Sequence, residues 1–551
     1  MVSRAISPEK IAASATMTPG QKASVTDLSA HWTPTANPWL IAVSVMTATF
    51  MVVLDSSVAN VALPHIAGNL SASTDEATWV LTSYLVSNAI MLPATGWITR
   101  RFGRKRLLMV SILIFTGASM LCGMAFNMPM LIMARVLQGV GGGGMQPLAQ
   151  SILLESFPPK EHGKAMAVYG AGVVVAPVIG PTLGGWITDS YSWRWIFYIN
   201  LPVGVLAFFL AGMFVEDPPY LRAKFMGAVD GLGFGLMALW LGTLQLVLDK
   251  GQEADWFEAD WIRWTFAVSM ICFVAFVARE LTNKEPIVQL HVLLNRNFAV
   301  GTIITGLYGF VLYSATALLP LFLQTLLGYP ALDSGLAVSP RGFGSMLSVI
   351  VAGALANKID SRLLLTFGFA ILGASSLMLG NVNLGIAMTS VIVPNVLNGF
   401  ASGFIFVPLT TMAMGRLQKH EIGNAAGIYN LIRNIGGSVG ISVSTALLVR
   451  KEQLHQTYLT ANLTASDGML QSALQRLQSK LMVSGSDPVA AQHKALGVIF
   501  QNLMQQSSLL AYVDNFRLLG FLSLLCIPIV FLFQNVRKRG TSEGDTSQFD
   551  H

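Results

Sequence analysis

The sequence predicts an all-α polytopic membrane protein, in which two six-helix bundles are joined by an inserted pair of helices. Three observations lead to this prediction: a low content of charged residues, a long series of apolar runs, and an internal repeat. Of the 551 residues, 53% are hydrophobic and only 11% are charged, whereas soluble domains carry about 25% charged residues. Because the deficit extends over most of the chain, most of the chain is expected to lie in a bilayer.

The apolar runs predict fourteen membrane spans, since a helix that crosses a bilayer needs about 20 apolar residues. An even number of spans places both termini on the same side of the membrane. The predicted spans lie near 39–60, 78–98, 107–126, 130–152, 164–188, 194–215, 228–248, 262–280, 298–322, 334–356, 362–380, 387–411, 424–449 and 511–534.

Lysine and arginine predict which side that is, because cytoplasmic loops accumulate them. They follow the even-numbered spans, most densely in the loop 100–106, whereas the alternate loops 61–77, 127–129, 325–333 and 381–386 contain none. Both termini are therefore predicted to be cytoplasmic. The net charge of +6 then reflects topology, and no nucleic-acid partner is predicted.

Short motifs recur at an offset of about 256–260 residues, which predicts that spans 1–6 correspond to spans 9–14. Glycines carry the clearest matches: Gly96 with Gly353, Gly139 with Gly399, Gly143 with Gly403, and Gly163 with Gly423. The halves keep the same orientation and are related by a pseudo-two-fold axis along the membrane normal, as in transporters that rock two bundles around a central site.

The repeat and the spans divide the chain into five parts. The predicted boundaries are a flexible cytoplasmic tail at 1–37, a first bundle at 38–215, the inserted helices 7 and 8 with their loops at 216–297, a second bundle at 298–535, and a cytoplasmic tail at 536–551. The second bundle includes an outer loop at 450–510. One helical face there is apolar, which is typical either of a small cap or of a docking surface for an extracytoplasmic partner; it comprises Met469, Leu470, Ala473, Leu474, Leu477 and Leu481.

An aspartate, Asp55, lies inside the apolar run of span 1, where a carboxylate costs about 2.5–3.5 kcal/mol. Asp55 and Arg135 of span 4 both lie about 9 Å below the outer ends of their spans, so contact between them would offset part of each desolvation cost. One interpretation is an ion pair that fixes helix register; the other is a proton carrier. The corresponding positions in the second half are Val311 and Asn395, so both charges belong to one half.

Other polar and aromatic residues within spans are candidates for a substrate cavity. Arg341 and Arg433 could attract anionic or weakly acidic hydrophobic solutes, or could snorkel and pair with carbonyls; Pro340 and Gly342 predict an interrupted helix around Arg341. Neutral amides and aromatic rings could bind solutes or only join helices; the candidates are Asn88, Gln138, Asn395, Asn398, Tyr84, Tyr308, Phe310 and Tyr313.

Two glycine-rich stretches predict close helix packing. GVGGGG at 139–144 is not a phosphate-binding loop, because no Lys-Ser/Thr follows it and no strand precedes it. The stretch 170–187 adds prolines that remove backbone donors and kink a helix. Its residues predict either tight packing alone or a compliant seam between the two halves, formed by Pro177, Gly180, Pro181, Gly184 and Gly185.

These motifs together resemble the major facilitator superfamily, and within it the fourteen-helix drug:proton antiporter family. LDSSVANVALP is similar to the span-1 motif, GWITRRFGRKR to the loop motif after span 2, RVLQGVGGGG to the span-4 motif, and GPTLGG to the span-5 antiporter motif. Other segments are similar to the Emr-type inner-membrane exporter subunits. In the loop motif, conformational roles fall on Gly96, Arg101, Gly103 and Arg104, but Arg100 stands where aspartate is common, so the lock attributed to that acid is in doubt.

The resemblance implies export of hydrophobic drugs, uncouplers or acidic amphiphiles in exchange for protons. It also implies a periplasmic adaptor and an outer-membrane channel as partners, no cofactor beyond the proton gradient, and Asp55 and Arg135 as coupling groups. The residues predict a transporter and not an enzyme, because no metal-ligand cluster and no nucleophile–base arrangement is found. The alternatives are a carrier for the uptake or export of a specific metabolite, and a membrane sensor or scaffold without transport.

Overall fold

The computed structural model describes residues 34–72, 74–218, 230–283, 286–356, 358–418, 420–461, 463 and 468–534. Most of each predicted terminal tail lies outside these residues. In the described residues the regular structure is helical, and the α-helices are α1 Pro38–Asn69, α2 Thr74–Phe102, α3 Arg104–Gly123, α4 Met128–Gly143, α5 Met145–Ser156, α6 His162–Ser190, α7 Trp195–Tyr198, α8 Asn200–Phe214, α9 Gly231–Lys250, α10 Asp260–Thr282, α11 Arg296–Leu321, α12 Ala331–Val338, α13 Pro340–Leu355, α14 Ser361–Leu379, α15 Met388–Met414, α16 Ile422–Ala461, α17 Gly468–Val483 and α18 Pro488–Val530.

Twelve helical stretches of the described chain are long and apolar enough to cross a membrane, so the predicted number of fourteen is not confirmed. The two remaining predicted spans are helical but differ in character. Span 2 is α2, whose serines, threonines and asparagine lower its hydropathy. Span 4 is divided at Gly144 into α4 and α5, of 16 and 12 residues.

The helices pack as two bundles with the inserted pair beside them. In the first bundle α1 packs on α6, α8 and α5, and α4 packs between α2 and α3. In the second bundle α11 packs on α16, α15 on α13 and α14, and α18 on α14 and α16. The inserted helices α9 and α10 pack on each other, and α9 also contacts α2 and α16, so the pair borders both bundles.

Equivalent glycines make equivalent contacts in the two bundles. A Cβ on Gly139 would lie 2.5 Å from the carbonyl oxygen of Tyr84, which seats α4 on α2. A Cβ on Gly399 would likewise overlap the carbonyl oxygen of Arg341, which seats α15 on α13. The repeat predicted from the sequence is therefore present in the packing.

The bundles approach each other most closely through small residues at the membrane side that carries the loop 100–106. A Cβ on Gly96 would lie 2.8 Å from Cα of Asn424, one on Gly163 would lie 2.8 Å from Cβ of Ala356, and one on Gly353 would lie 2.7 Å from Cβ of Ala167. The largest buried apolar cluster also contains residues of both bundles. The core thus continues from one bundle into the other across this contact.

The inserted pair is fastened at one end by the carboxylate of Asp230. Its Oδ1 accepts a hydrogen bond of 2.9 Å from the Gly233 amide at the start of α9, and both oxygens accept bonds of 2.7–3.0 Å from the guanidinium of Arg279 in α10. Asn283 donates a further bond of 2.7 Å. Burial raises the pKa of Asp230, but the hydrogen bonds from Arg279, Gly233 and Asn283 outweigh it and hold the pKa below its usual range.

The segment 450–510, predicted to connect spans 13 and 14 on the outer side, is mainly helical where it is described, because the helices of spans 13 and 14 extend into it. Helix α16 has 40 residues and α18 has 43, roughly 60 and 65 Å, whereas a hydrocarbon core is about 30 Å thick. The predicted amphipathic helix is present as α17, which packs on α18. Leucines at 470, 474, 477 and 481 are half-buried, whereas Met469 is 79% exposed.

Candidate functional site

The carboxylate of Asp55 lies in the first bundle and is only 1% exposed. Its Oδ2 pairs with Nη1 of Arg135 at 2.7 Å. Its Oδ1 accepts hydrogen bonds from Nε2 of Gln138 at 2.9 Å and from Nδ2 of Asn200 at 2.7 Å. Residues of α1, α4 and α8 therefore meet at one carboxylate, which accepts from three side-chain donors.

The guanidinium of Arg135 is fully buried. Its Nε donates to the carbonyl oxygen of Val80 in α2 at 3.2 Å, and Nη1 also donates to Oε1 of Gln138 at 2.7 Å. The rings of Tyr84 and Phe197 lie over it, with centroids 5.1 and 5.0 Å away. Aromatic faces attract a cation more strongly when water is excluded, so the ring pair contributes to holding this charge in the bundle.

Local sequence explains how these groups reach one depth. Asn127 caps α4, its side chain accepting a hydrogen bond from the Met130 amide, which fixes where α4 starts and so where Arg135 lies. Asn200, at the start of α8, also donates to Oγ of Ser119 in α3 at 2.9 Å. Sequence reasoning identified Asp55 and Arg135 but missed Asn200 and Ser119; the available signal was a lone asparagine in the apolar run of span 6.

The two other arginines within spans lie apart from this pair. Arg341 is half-buried and its Nη1 donates to Oγ1 of Thr316 at 2.8 Å. The helix is interrupted next to it, since α12 ends at Val338 and α13 begins at Pro340. Arg433 is 5% exposed, and its Nη2 donates to Oε1 of Gln146 in the first bundle at 2.9 Å. Arg433 therefore lies where the two bundles meet.

The predicted cavity amides make different contacts. Asn395 donates to the carbonyl oxygens of Ala337 and Val338 at 3.0 and 2.8 Å, which satisfies backbone groups freed by the interruption after α12. Asn398 is buried and its Oδ1 has no hydrogen-bond partner among the described residues. Asn88 is half-buried and lies 3.4 Å from the Tyr84 hydroxyl. A role of these amides in substrate binding stays a prediction.

The predicted cavity aromatics divide between the bundles. Tyr84 covers Arg135, as described above. Tyr308 is buried and packs edge-on against Phe369, with centroids 6.5 Å apart. Phe310 and Tyr313 are half-buried and lie against the glycines of α16. Tyr308 and Tyr313 both interact electrostatically with the guanidinium of Arg433, so part of this predicted set surrounds one cation.

The loop motif after span 2 is organised by two carboxylates. Gly103 has φ +87° and ψ 163°, a region essentially reserved for glycine. Asp217 lies beside it and accepts hydrogen bonds from the amides of Arg104 and Lys105 at 2.7 and 2.9 Å, which caps α3. The guanidinium of Arg104 forms a buried ion pair with Glu155.

Arg100, which stands where the superfamily motif commonly has aspartate, contacts backbone instead of a basic side chain. Its Nη2 donates to the carbonyl oxygen of Pro286 at 3.2 Å. The nearby Asn424 side chain exchanges two hydrogen bonds of 3.1 Å with the backbone of Gln289. The segment that follows α10 is therefore bound at the contact between the bundles. Arg101 is half-buried.

The span-5 glycines divide between two contacts, since Gly170 packs on Phe406 and Val349 of the second bundle whereas Gly180 and Gly184 pack within the first, and a compliant seam stays a prediction. A Cβ on Gly184 would lie 2.8 Å from Cγ1 of Val58, and Gly180 packs on Ser57, so both seat α6 on α1 within the first bundle. Helix α6 continues without a break through Pro177 and Pro181, and Gly185 is half-buried. Glycine spacing indicates that a helix approaches closely, but it does not indicate which one.

The glycine run of span 4 also packs within the first bundle. A Cβ on Gly141 would lie 2.6 Å from the Phe115 amide of α3, and one on Gly143 would lie 2.6 Å from the Asn88 carbonyl oxygen of α2. The run therefore lets α4 approach two neighbours at once, and the helix is interrupted directly after it. This is the close packing that the sequence predicted.

Comparison with known proteins gives a consistent result. Residues 45–441 match the family model described as the Major Facilitator Superfamily. The multidrug export protein EmrB of Haemophilus influenzae is 39% identical over 435 residues, which cover 79% of this chain and 85% of that protein. The fatty acid resistance protein FarB of Neisseria gonorrhoeae is 36% identical over 493 residues, covering 89% of this chain and 95% of that protein.

Two solved structures share the fold at low identity. The proton:xylose symporter XylE aligns with a TM-score of 0.58 at 13% identity, covering 90% of this chain and 95% of XylE. The human organic anion transporter MFSD10 aligns with a TM-score of 0.55 at 13% identity, covering 88% and 99%. The resemblance drawn from the motifs is thus confirmed: the chain belongs to the major facilitator superfamily, in the group that includes the EmrB and FarB exporters, and it is a multi-pass membrane transporter and not an enzyme.

Proposed function

We propose that this protein exports hydrophobic, weakly acidic or amphiphilic compounds, drugs among them, across the inner membrane in exchange for protons, by alternating access. The relatives are named for multidrug export and for fatty acid resistance, which supports the substrate class. The observation that carries proton coupling is the buried ion pair of Asp55 with Arg135, which belongs to one bundle only.

The pair suits a proton carrier because its two states require different surroundings. With Arg135, Gln138 and Asn200 all donating to it, the carboxylate of Asp55 is stabilised as an anion. A proton that binds to Oδ2 removes the charge that Arg135 pairs with and leaves a buried cation without its partner, which is costly. Protonation therefore favours a rearrangement of α1 against α4, and this rearrangement couples the proton to the motion of the bundles.

The closed contact between the bundles indicates which conformation is described. Gly96, Gly163 and Gly353 bring the bundles together on the side of the loop 100–106. With both termini cytoplasmic, as lysine and arginine predict, this is the cytoplasmic side. The ionised Asp55 would then belong to a conformation closed toward the cytoplasm, from which a proton is taken up on the outer side.

The helices beyond the membrane support a tripartite pump with a periplasmic adaptor and an outer-membrane channel. The ends of α17 and α18 expose large apolar side chains to the surroundings: Val483 is 90% exposed and Val489 is 65% exposed. Exposed apolar side chains grouped at one site are typical of a protein-binding surface. The packing of α17 on α18 supports the cap interpretation for its leucine face, and the exposed tip is the proposed adaptor contact.

Transport in proteoliposomes tests the proposal. Purified protein is reconstituted, a pH gradient is imposed, and movement of a fluorescent hydrophobic drug and of a fatty acid is followed. We expect the direction of substrate movement to follow the direction of the pH gradient. We also expect the pH of the lumen to change as substrate moves, because substrate is exchanged for protons. Substrate movement that is indifferent to the gradient, or accumulation of a polar metabolite instead, would contradict proton-coupled drug export.

A further inference from the structure

The guanidinium of Arg433 is buried with an incomplete set of partners. It is 5% exposed, and Nη2 donates to Oε1 of Gln146 at 2.9 Å. Its Nε is buried and has no hydrogen-bond acceptor among the described residues. In the described part of the chain, no carboxylate forms an ion pair with it. A buried cation whose partners are all neutral, the Gln146 amide oxygen and the Tyr169 hydroxyl, is costly, so binding of an anion beside it would be favourable.

Four tyrosine hydroxyls lie close enough to Arg433 to interact with it electrostatically: those of Tyr169, Tyr308, Tyr313 and Tyr429. They come from α6, α11 and α16, and thus from both bundles. The hydroxyl of Tyr169 is buried and interacts directly with the guanidinium of Arg433. A phenolic hydroxyl can donate a hydrogen bond to an anion, so the cation is accompanied by neutral donors.

An apolar surface begins directly beside these groups. The Tyr169 ring stacks on Phe406 of the second bundle, with centroids 5.8 Å apart and planes inclined by 15°. Phe406 and Gln146 each contact the opposite bundle, but both remain only half-buried. The partly exposed surface of Gln146 and Phe406 therefore lies beside a buried cation and beside aromatic carbon, which is the combination that an amphiphilic acid requires.

We propose that Arg433 and the surrounding tyrosine hydroxyls form the subsite that binds the carboxylate of an amphiphilic substrate, whose apolar body lies along Phe406, the partly exposed ring of this pair. The Nε–H and an Nη2–H of arginine form a fork that matches the two oxygens of a carboxylate. This inference rests on the proposed export function and specifies its substrate class.

The subsite adjoins the contact between the bundles. Oε1 of Gln146 accepts from Nη2 of the same guanidinium and so joins α16 to α5 beside it. Because Nη2 carries two N–H groups, a carboxylate can accept from Nε and from the second of these while Gln146 keeps its bond.

Binding to full-length protein in nanodiscs tests the subsite with decanoate and 1-decanol as probes. In Arg433→Gln we expect decanoate to bind roughly tenfold more weakly or worse, the loss typical of a charge-assisted hydrogen bond. Decanol, which has the same chain and no charge, should change less than twofold. Arg433→Lys should retain part of the preference for the acid.

The matched control is Arg263→Gln, which removes the same charge from an exposed ion pair with Asp260 and should bind both probes as wild type does. Thermal unfolding of each variant excludes a loss of fold as the cause. Wild-type-like decanoate binding in Arg433→Gln, or an equal loss for acid and alcohol, would overturn the subsite. Wild-type transport of a neutral drug without any preference for the acid would overturn this inference alone, whereas absence of any gradient-driven transport would overturn the proposed function as well.

Discussion

Asn200 donates a 2.7 Å hydrogen bond to Asp55, the carboxylate that Arg135 pairs with at the same distance. Because Asn200 also bonds Ser119, the carboxylate of α1 is connected to α3, α4 and α8 at once. A change in its charge therefore alters how four helices of the first bundle are held together, and does not remain local to two side chains.

Replacement of Asp55 by asparagine should abolish gradient-driven transport. An amide side chain does not bind and release a proton near neutral pH. We therefore expect accumulation of substrate against the substrate gradient to fall to the background of empty liposomes. Exchange of substrate at equal pH should persist, because it requires no net proton movement. Both rates are measured on the same liposome preparation. The control Asp333→Asn changes an exposed carboxylate of α12 and should transport normally; gradient-driven accumulation by Asp55→Asn would refute its role.

Gly103→Ala should destabilise the protein. The residue has φ +87°, and a Cβ would lie 2.7 Å from Oδ2 of Asp217, so we expect a loss of about 1–3 kcal/mol in the free energy of unfolding. Gly117→Ala is the matched control, since its Cβ would meet nothing within 4 Å and alanine favours a helix by up to about 1 kcal/mol. Thermal unfolding in detergent compares the two; equal melting temperatures would contradict the assigned strain.

Gly96→Ala should shift the protein toward the conformation that is open on the side of the loop 100–106. Its Cβ would lie 2.8 Å from Cα of Asn424, so α2 and α16 must separate. We expect faster labelling of a cysteine introduced at Gln146 and slower transport. Gly68→Ala, whose Cβ would meet nothing within 4 Å, should leave labelling unchanged. Identical labelling rates in both variants would show that this contact does not control closure.

Asp230→Ala should destabilise the inserted pair in a pH-dependent manner. The variant loses the cap of α9 and the bonds from Arg279, which are worth about 1–3 kcal/mol together. Because the folded pKa of Asp230 lies below the usual value, its contribution is fully present above that value. The difference in melting temperature from wild type should shrink below about pH 4, where the carboxylate of Asp230 becomes protonated. A difference that grows on acidification would contradict this assignment.

Charge at the tip of the outer helices should impair the complete pump but not the isolated transporter. We expect Val483→Asp with Val489→Asp to weaken adaptor binding roughly tenfold and to reduce drug resistance in cells, while transport in liposomes stays at the wild-type rate. Ser479→Asp adds a charge on exposed surface of α17 without removing apolar area, and should be neutral. Full drug resistance in cells that carry the double variant would contradict adaptor binding by α17 and α18 and would leave these helices only the role of a cap.

The sequence was sufficient to predict the parts of the fold that depend on local composition. Apolar length predicted the helices, twelve of which are long and apolar enough to cross a membrane, and the recurring glycines predicted the repeated packing of Gly139 and Gly399. The contact of Asp55 with Arg135 followed from their equal depth. These features depend on a few residues of one or two helices, so one sequence carries enough information about them.

The remaining differences arise from tertiary packing that no local pattern specifies. Gly180 and Gly184 indicate close approach, but only the assembled bundle shows that α1 is their neighbour. Asn200 reaches Asp55 because α8 passes beside α1, which its own sequence does not indicate. The polar stretch 450–510 suggested a loop because its composition resembles that of water-exposed segments, and a helix surrounded by water has such a composition too.

Helix α18 continues from its apolar, membrane-spanning part into the part that packs on α17, as one uninterrupted helix of 43 residues. A rod that extends about 30 Å above the bilayer moves its tip by roughly 5 Å for each 10° that its base leans. Rocking of the second bundle would therefore displace the N-terminal end of α18 further than it displaces the part of α18 within the bundle. A partner bound at that end would be displaced in each transport cycle. Helix α18 would therefore transmit motion to the partner as well as bind it.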